Sequence, residues 1–204
     1  HTTDGNQIVV SVYSDSNPGE LYLYNRDTGK ARFLMQGRRW LDKDLMAETM
    51  PFSFTSRDGK QVHGYLTIPH GSDGKNLPLI VNPHGGPIGP RDNWGFNSEA
   101  QLLASRGYIV ASVDMNFLNG AIRGENDARG WMLLQHVKAW QGFDTTAGNP
   151  LRGKVDVRNV ALIGHSRGGE AVGHAAAFNR MERYPDDGNV KLGFDYGIRA
   201  LVAI

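Results

Sequence analysis

Cysteine is absent from all 204 residues. That excludes disulfide bridges and thiolate-held metal centres, and it says little about compartment, because many secreted bacterial proteins also lack cysteine. An excess of charge of one sign is missing too: 22 Lys and Arg face 21 Asp and Glu, so a net charge of +1 leaves no footprint for nucleic acid or an anionic membrane surface. No apolar run approaches the ~20 residues that span a bilayer. No signal peptide opens the chain, yet it begins at His1 rather than Met, which leaves room for a leader or domain upstream. The expectation is a soluble protein, of the bacterial cytoplasm or secreted with its leader removed. Neither a phosphate-cradling glycine fingerprint nor an HExxH zinc box is present, so no cofactor and no metal is expected. Asp186-Asp187-Gly188-Asn189 lacks the alternating ligand spacing of a calcium loop and reads as a solvated turn.

With 40% hydrophobic and 21% charged residues, the chain can bury a substantial core. Its most informative segment is Gly164-His165-Ser166-Arg167-Gly168-Gly169, which follows the apolar run Val160-Ala161-Leu162-Ile163 and precedes a helical stretch rich in small residues. Strand, sharp turn and helix in that order force the serine into a strained conformation that lifts its hydroxyl above the sheet edge. Ser166 is the candidate nucleophile. A second buried strand, Leu79-Ile80-Val81-Asn82, runs into Pro83-His84-Gly85-Gly86-Pro87. Such a glycine loop supplies a backbone N–H to an oxyanion hole, so Gly85, Gly86 and the N–H of Arg167 are the candidate donors. Trp94, beside that loop, is a candidate substrate contact, and Arg91 with Asp92 could hold the loop by an ion pair.

These motifs carry a resemblance. From Pro51 to about Phe117, the runs Phe54-Thr55-Ser56-Arg57-Asp58-Gly59, Gly64-Tyr65-Leu66-Thr67-Ile68-Pro69, His84-Gly85-Gly86-Pro87 and Arg91-Asp92-Asn93-Trp94-Gly95-Phe96-Asn97 resemble the start of the catalytic domain of prolyl oligopeptidase-family serine peptidases, acylaminoacyl-peptidase-like members above all. From about Asn116 onward, Gly124-Glu125-Asn126-Asp127-Ala128-Arg129-Gly130-Trp131 and the elbow resemble bacterial α/β-hydrolases of the esterase and dienelactone-hydrolase kind. Arg167 stands where the peptidases carry tyrosine. The change of character near Asn116-Phe117 raises the expectation of a chimera, with a natural intermediate family as the alternative.

The fold expected is α/β: a partial α/β-hydrolase fold over 46–204, with a mostly parallel sheet flanked by helices, preceded over 1–45 by a short β-meander that resembles the last blade of a propeller. Strands are expected at Gln61 to Ile68, Pro78 to Asn82, Tyr108 to Val113, Asn159 to Gly164 and Arg199 to Ile204. Helices are expected at Ser98 to Ser105, Arg129 to Gln141 with Trp131, Leu134 and Val137 inward, and Arg167 to Arg180 with Ala171, Ala175 and Ala176 against the sheet. Trp140 reads as core, and Glu125, Asp127 and Arg129 read as a capping and surface turn.

In such a fold the triad runs serine, acid, histidine, with the last two on later loops. Few residues follow Ser166, and neither partner stands at its expected position. His84 belongs to the oxyanion loop, His165 points away from the serine, His174 lies two turns down the following helix, and the remaining histidines have no motif. The apolar run Leu201-Val202-Ala203-Ile204 would form a bare edge. The expectation is therefore a piece of a longer polypeptide, or a sheet completed by another chain or by homo-oligomerisation. Three functions stay open: a serine hydrolase cleaving small carboxylic esters through an acyl-enzyme on Ser166, a prolyl oligopeptidase-family peptidase cleaving acyl-peptides, and a catalytically incomplete scaffold.

Overall fold

A computed structural model describes residues 1–56, 59–86, 92–118 and 125–204. The chain opens with three antiparallel strands, β1 (Gln7–Val12), β2 (Glu20–Asn25) and β3 (Lys30–Gln36), joined by the turns at Asn17-Pro18-Gly19 and Thr28-Gly29. Val9, Phe33 and Met35 of this meander are about half exposed. Its polar ties to the rest of the protein run through a turn instead: Asp15 accepts from the Thr49 N–H at 2.6 Å, and its carbonyl accepts from Gln101 at 3.1 Å.

Next come β4 (Thr49–Thr55), β5 (Gln61–Thr67), β6 (Leu77–Pro83), α1 (Ser98–Ala104), β7 (Ile109–Val113), α2 (Asn126–Thr145), β8 (Val155–Gly164) and α3 (Arg167–Phe178). A small hairpin, β9 (Arg183–Tyr184) with β10 (Asp187–Lys191), precedes β11 (Ile198–Ala203). The six-stranded sheet has the order β11-β8-β6-β7-β5-β4. Neighbours from β11 to β7 are parallel, whereas β5 and β4 are antiparallel at one edge.

Successive side chains of a strand point to opposite faces, and both faces of this sheet are covered, so its central strands are continuously apolar. Leu79, Val81, Ile109, Ala111 and Leu162 face α2 and α3, where Leu133, Leu134, Val137, Trp140, Val172 and Phe178 complete the larger core. Ile80, Val110 and Ile163 point the other way, onto Ala100 of α1.

Several elements differ from the sequence reading. Strand β4 was not expected; it alternates Met50, Phe52 and Phe54 around Pro51, which an edge strand tolerates because its N–H can face away from the ladder. Helix α2 starts three residues before Arg129 and ends four after Gln141. Trp131 is half-buried rather than inward, resting against Tyr184 and Phe194 at the rim of the core. Ala171 and Ala175 pack on the sheet as expected, whereas Ala176 is only partly covered. Part of the acidic Asp186-Asn189 segment lies in β10 and is exposed. No helix among the described residues is long and apolar enough to cross a membrane.

Candidate active site

Ser166 sits between the end of β8 and the first residue of α3 with φ 56° and ψ −125°. A non-glycine residue held at positive φ stores backbone strain and persists only where its surroundings enforce it. Here glycines do so. A Cβ on Gly164 would collide with the Gly168 carbonyl, one on Gly168 would come within 2.6 Å of the Pro83 oxygen, and one on Gly169 would lie 3.2 Å from the Ile204 oxygen. The turn closes through backbone bonds: Ser166 N–H donates to Ile204 O at 2.7 Å, and Gly168 N–H donates to His165 O at 2.9 Å. The serine is exposed, and its side chain makes no capping bond to its own helix.

The loop after β6 comes against this turn. A Cβ on Gly85 would lie 3.1 Å from the His165 oxygen and 3.4 Å from the Ser166 Cβ, so a side chain there would crowd the elbow. The N–H groups of Gly86 and Arg167 have no acceptor among the described residues, while neighbouring backbone donors are used. His84 fixes the loop from below. The Met115 N–H donates to its Nε2 at 2.8 Å, which makes Nε2 an acceptor and leaves Nδ1–H to donate to the Gly85 carbonyl at 2.6 Å. The ends of β6 and β7 are tied together by that ring. Beneath lies a small cavity of about 170 Å³ lined by His63, Asp92 and Asp114, where burial raises the Asp92 carboxyl above the ordinary carboxylate range.

The start of α2 is tied to α3 by polar side-chain pairs. Glu125, buried, binds the Arg167 guanidinium. Asp127 takes His174 Nδ1 at 2.9 Å and the Tyr184 hydroxyl at 2.7 Å, a bond that pushes the Tyr184 pKa up to about 12. Arg129 has no exposed surface at all, and burial lowers its pKa while Glu170 opposes that shift. The surface role expected for Glu125, Asp127 and Arg129 is thus corrected: Glu125 and Asp127 tie the start of α2 to α3, and Glu125 and Arg129 are buried.

No family model matches the chain. Dipeptidyl aminopeptidase BIII of Pseudoxanthomonas mexicana is 30% identical over 179 residues, covering 83% of this chain and 25% of that protein. Dipeptidyl peptidase family member 6 of Caenorhabditis elegans is 28% identical over 184 residues, 79% of this chain and 24% of that one. Among solved structures, Pyrococcus horikoshii acylaminoacyl peptidase superposes with a TM-score of 0.58 at 25% identity, over 86% of this chain and 28% of that one. The relatives and neighbours are prolyl oligopeptidase-family, acylaminoacyl-peptidase-like serine peptidases of α/β-hydrolase fold.

The chain spans about a quarter of the length of the curated relatives it matches. An alignment covering 83% of the chain runs through Asn116-Phe117, so one relative accounts for both sides of the point where the sequence changes character. Of the residues singled out from sequence, Ser166, Gly85 and Arg167 come together at the elbow with Gly86 next to them. Trp94 is half exposed, and its indole N–H is committed to the Thr49 carbonyl at 3.0 Å. The pairing expected between Arg91 and Asp92 involves Arg91, which lies outside the described residues. Sequence reasoning missed the Met115 N–H that orients His84 and the Glu125 carboxylate on Arg167. Both partners are distant in sequence, and no local pattern announces them.

Proposed function

We propose that this chain supplies the nucleophile and oxyanion donors of a serine peptidase of the prolyl oligopeptidase type. The observation that carries the reading is Ser166 at positive φ, exposed at the head of α3, with the Gly85 loop packed against it. In this reading Ser166 Oγ attacks the carbonyl carbon of a peptide bond, and the electron pair of the carbonyl moves onto its oxygen. The N–H groups of Gly86 and Arg167 receive that charge, and the amine leaves with a proton as the acyl-enzyme forms. Support for a peptide over an ester comes from the relatives, which are peptidases by name.

The proton chemistry needs a base. His84 has both ring nitrogens engaged, His136 is fully buried, and His174 is bound to Asp127 two turns along α3. The general base therefore lies outside these three histidines. Hydrolysis of an N-acyl-peptide p-nitroanilide and of p-nitrophenyl acetate, each with a Ser166→Ala control, tests the reading. Ser166-dependent anilide cleavage supports it; turnover of the ester alone returns the assignment to an esterase, the reading that Arg167 at the elbow favours.

A further inference from the structure

A cleft of about 930 Å³ runs along the outer face of α2, within the size range of small-molecule sites. None of the residues proposed for catalysis lines it. Its walls are aromatic: Phe54 from the end of β4, Trp131 from α2, and Phe194 and Tyr196 from the segment that follows β10. All four are half-buried, offering ring surface to the cleft while anchored behind.

The far wall is built before any ligand arrives. Phe194 stands edge-on to Trp131 at 6.2 Å and rests on Tyr196 at 5.9 Å. Tyr196 is clamped at both backbone groups by the buried Asn179, whose side chain accepts from its N–H at 2.8 Å and donates to its carbonyl at 2.9 Å. Leu192 plugs the same segment into the core. A cleft with fixed walls loses little ordering entropy on binding.

Charge decides the occupant. Among the described lining residues the only formally charged side chains are Lys138 and Lys191, both exposed, and no carboxylate joins them. Neither lysine's ammonium group makes an ion pair or hydrogen bond with any described residue. Two unpaired ammonium groups beside four aromatic rings are complementary to a flat apolar body that carries negative charge.

We infer that this cleft binds an amphipathic organic anion, an aromatic carboxylate in chemical class, with its ring among Phe54, Trp131, Phe194 and Tyr196 and its carboxylate toward Lys138 and Lys191. The inference does not depend on the role of Ser166. The test is isothermal titration of the protein with 2-naphthoate and with its neutral counterpart 2-naphthylmethanol, repeated on Lys138→Glu/Lys191→Glu and on Lys138→Gln/Lys191→Gln, with melting curves to establish folding. Saturable binding of one naphthoate is expected, roughly tenfold weaker for the alcohol and for either double variant, and weakened by added salt. No saturable binding, equal affinity for the two probes, or an affinity untouched by both double variants overturns the inference. The last outcome would place the probe elsewhere, for instance on the exposed apolar strands of the meander.

Discussion

Replacing His136 by leucine gives a pH-dependent stability change whose size follows from burial. His136 has no exposed surface, neither ring nitrogen has a hydrogen-bond partner among the described residues, and the ring stands edge-on to Phe54 at 5.0 Å. Burial disfavours the charged imidazolium and depresses the pKa from 6.5 to about 3. The unfolded chain takes up a proton near pH 6.5, while the folded chain resists until near pH 3, so stability falls as the pH drops below 6.5. At about 1.4 kcal/mol per pH unit, the loss has reached about 2 kcal/mol at pH 5. At pH 8 neither state is charged, and leucine fills similar space without burying two unpaired nitrogens, so the variant should be at least as stable as the parent. Urea unfolding followed by tryptophan fluorescence at pH 8 and pH 5 reads both values. The advantage of His136→Leu should widen by about 2 kcal/mol at the lower pH; an equal gap at both would mean that the folded protein lets His136 protonate, and the reasoning from burial fails.

Other perturbations follow from packing and hydrogen bonding. Gly168→Ala sets a Cβ 2.6 Å from the Pro83 oxygen, backbone against backbone, and should cost at least ~2 kcal/mol in urea unfolding. Gln101, buried, accepts from the Ala47 N–H at 2.8 Å and donates to the Ala47 and Asp15 carbonyls. Gln101→Leu leaves those groups without a partner, about 2–4 kcal/mol less stable, with faster proteolysis between residues 37 and 48 as the local readout. Asp127→Asn removes the carboxylate that raises Tyr184, and its phenol, titrated by ultraviolet absorbance, should ionise well below the parent value of about 12.

The parallel core was legible because its strands are unbroken apolar runs and its turns carry glycine. Leu79-Ile80-Val81 and Val160 to Ile163 could be placed from sequence, and the elbow followed from Gly164, Gly168 and Gly169 at the spacing where a Cβ has no room. The antiparallel edge was harder. Pro51 obscures the alternation of β4, and the Asp-rich start of β10 looks like a turn until Arg183 and Tyr184 are seen across from it. Buried polar groups were least legible. A carboxylate such as Glu125 reads as surface until Arg167 is found beside it, 42 residues away in sequence.

Labelling with a fluorophosphonate followed by peptide mapping tests most directly whether Ser166 is the nucleophile. A single adduct on the peptide that contains Ser166, absent from Ser166→Ala, is the predicted result. Labelling that persists in Ser166→Ala, or that maps to another residue, would contradict it.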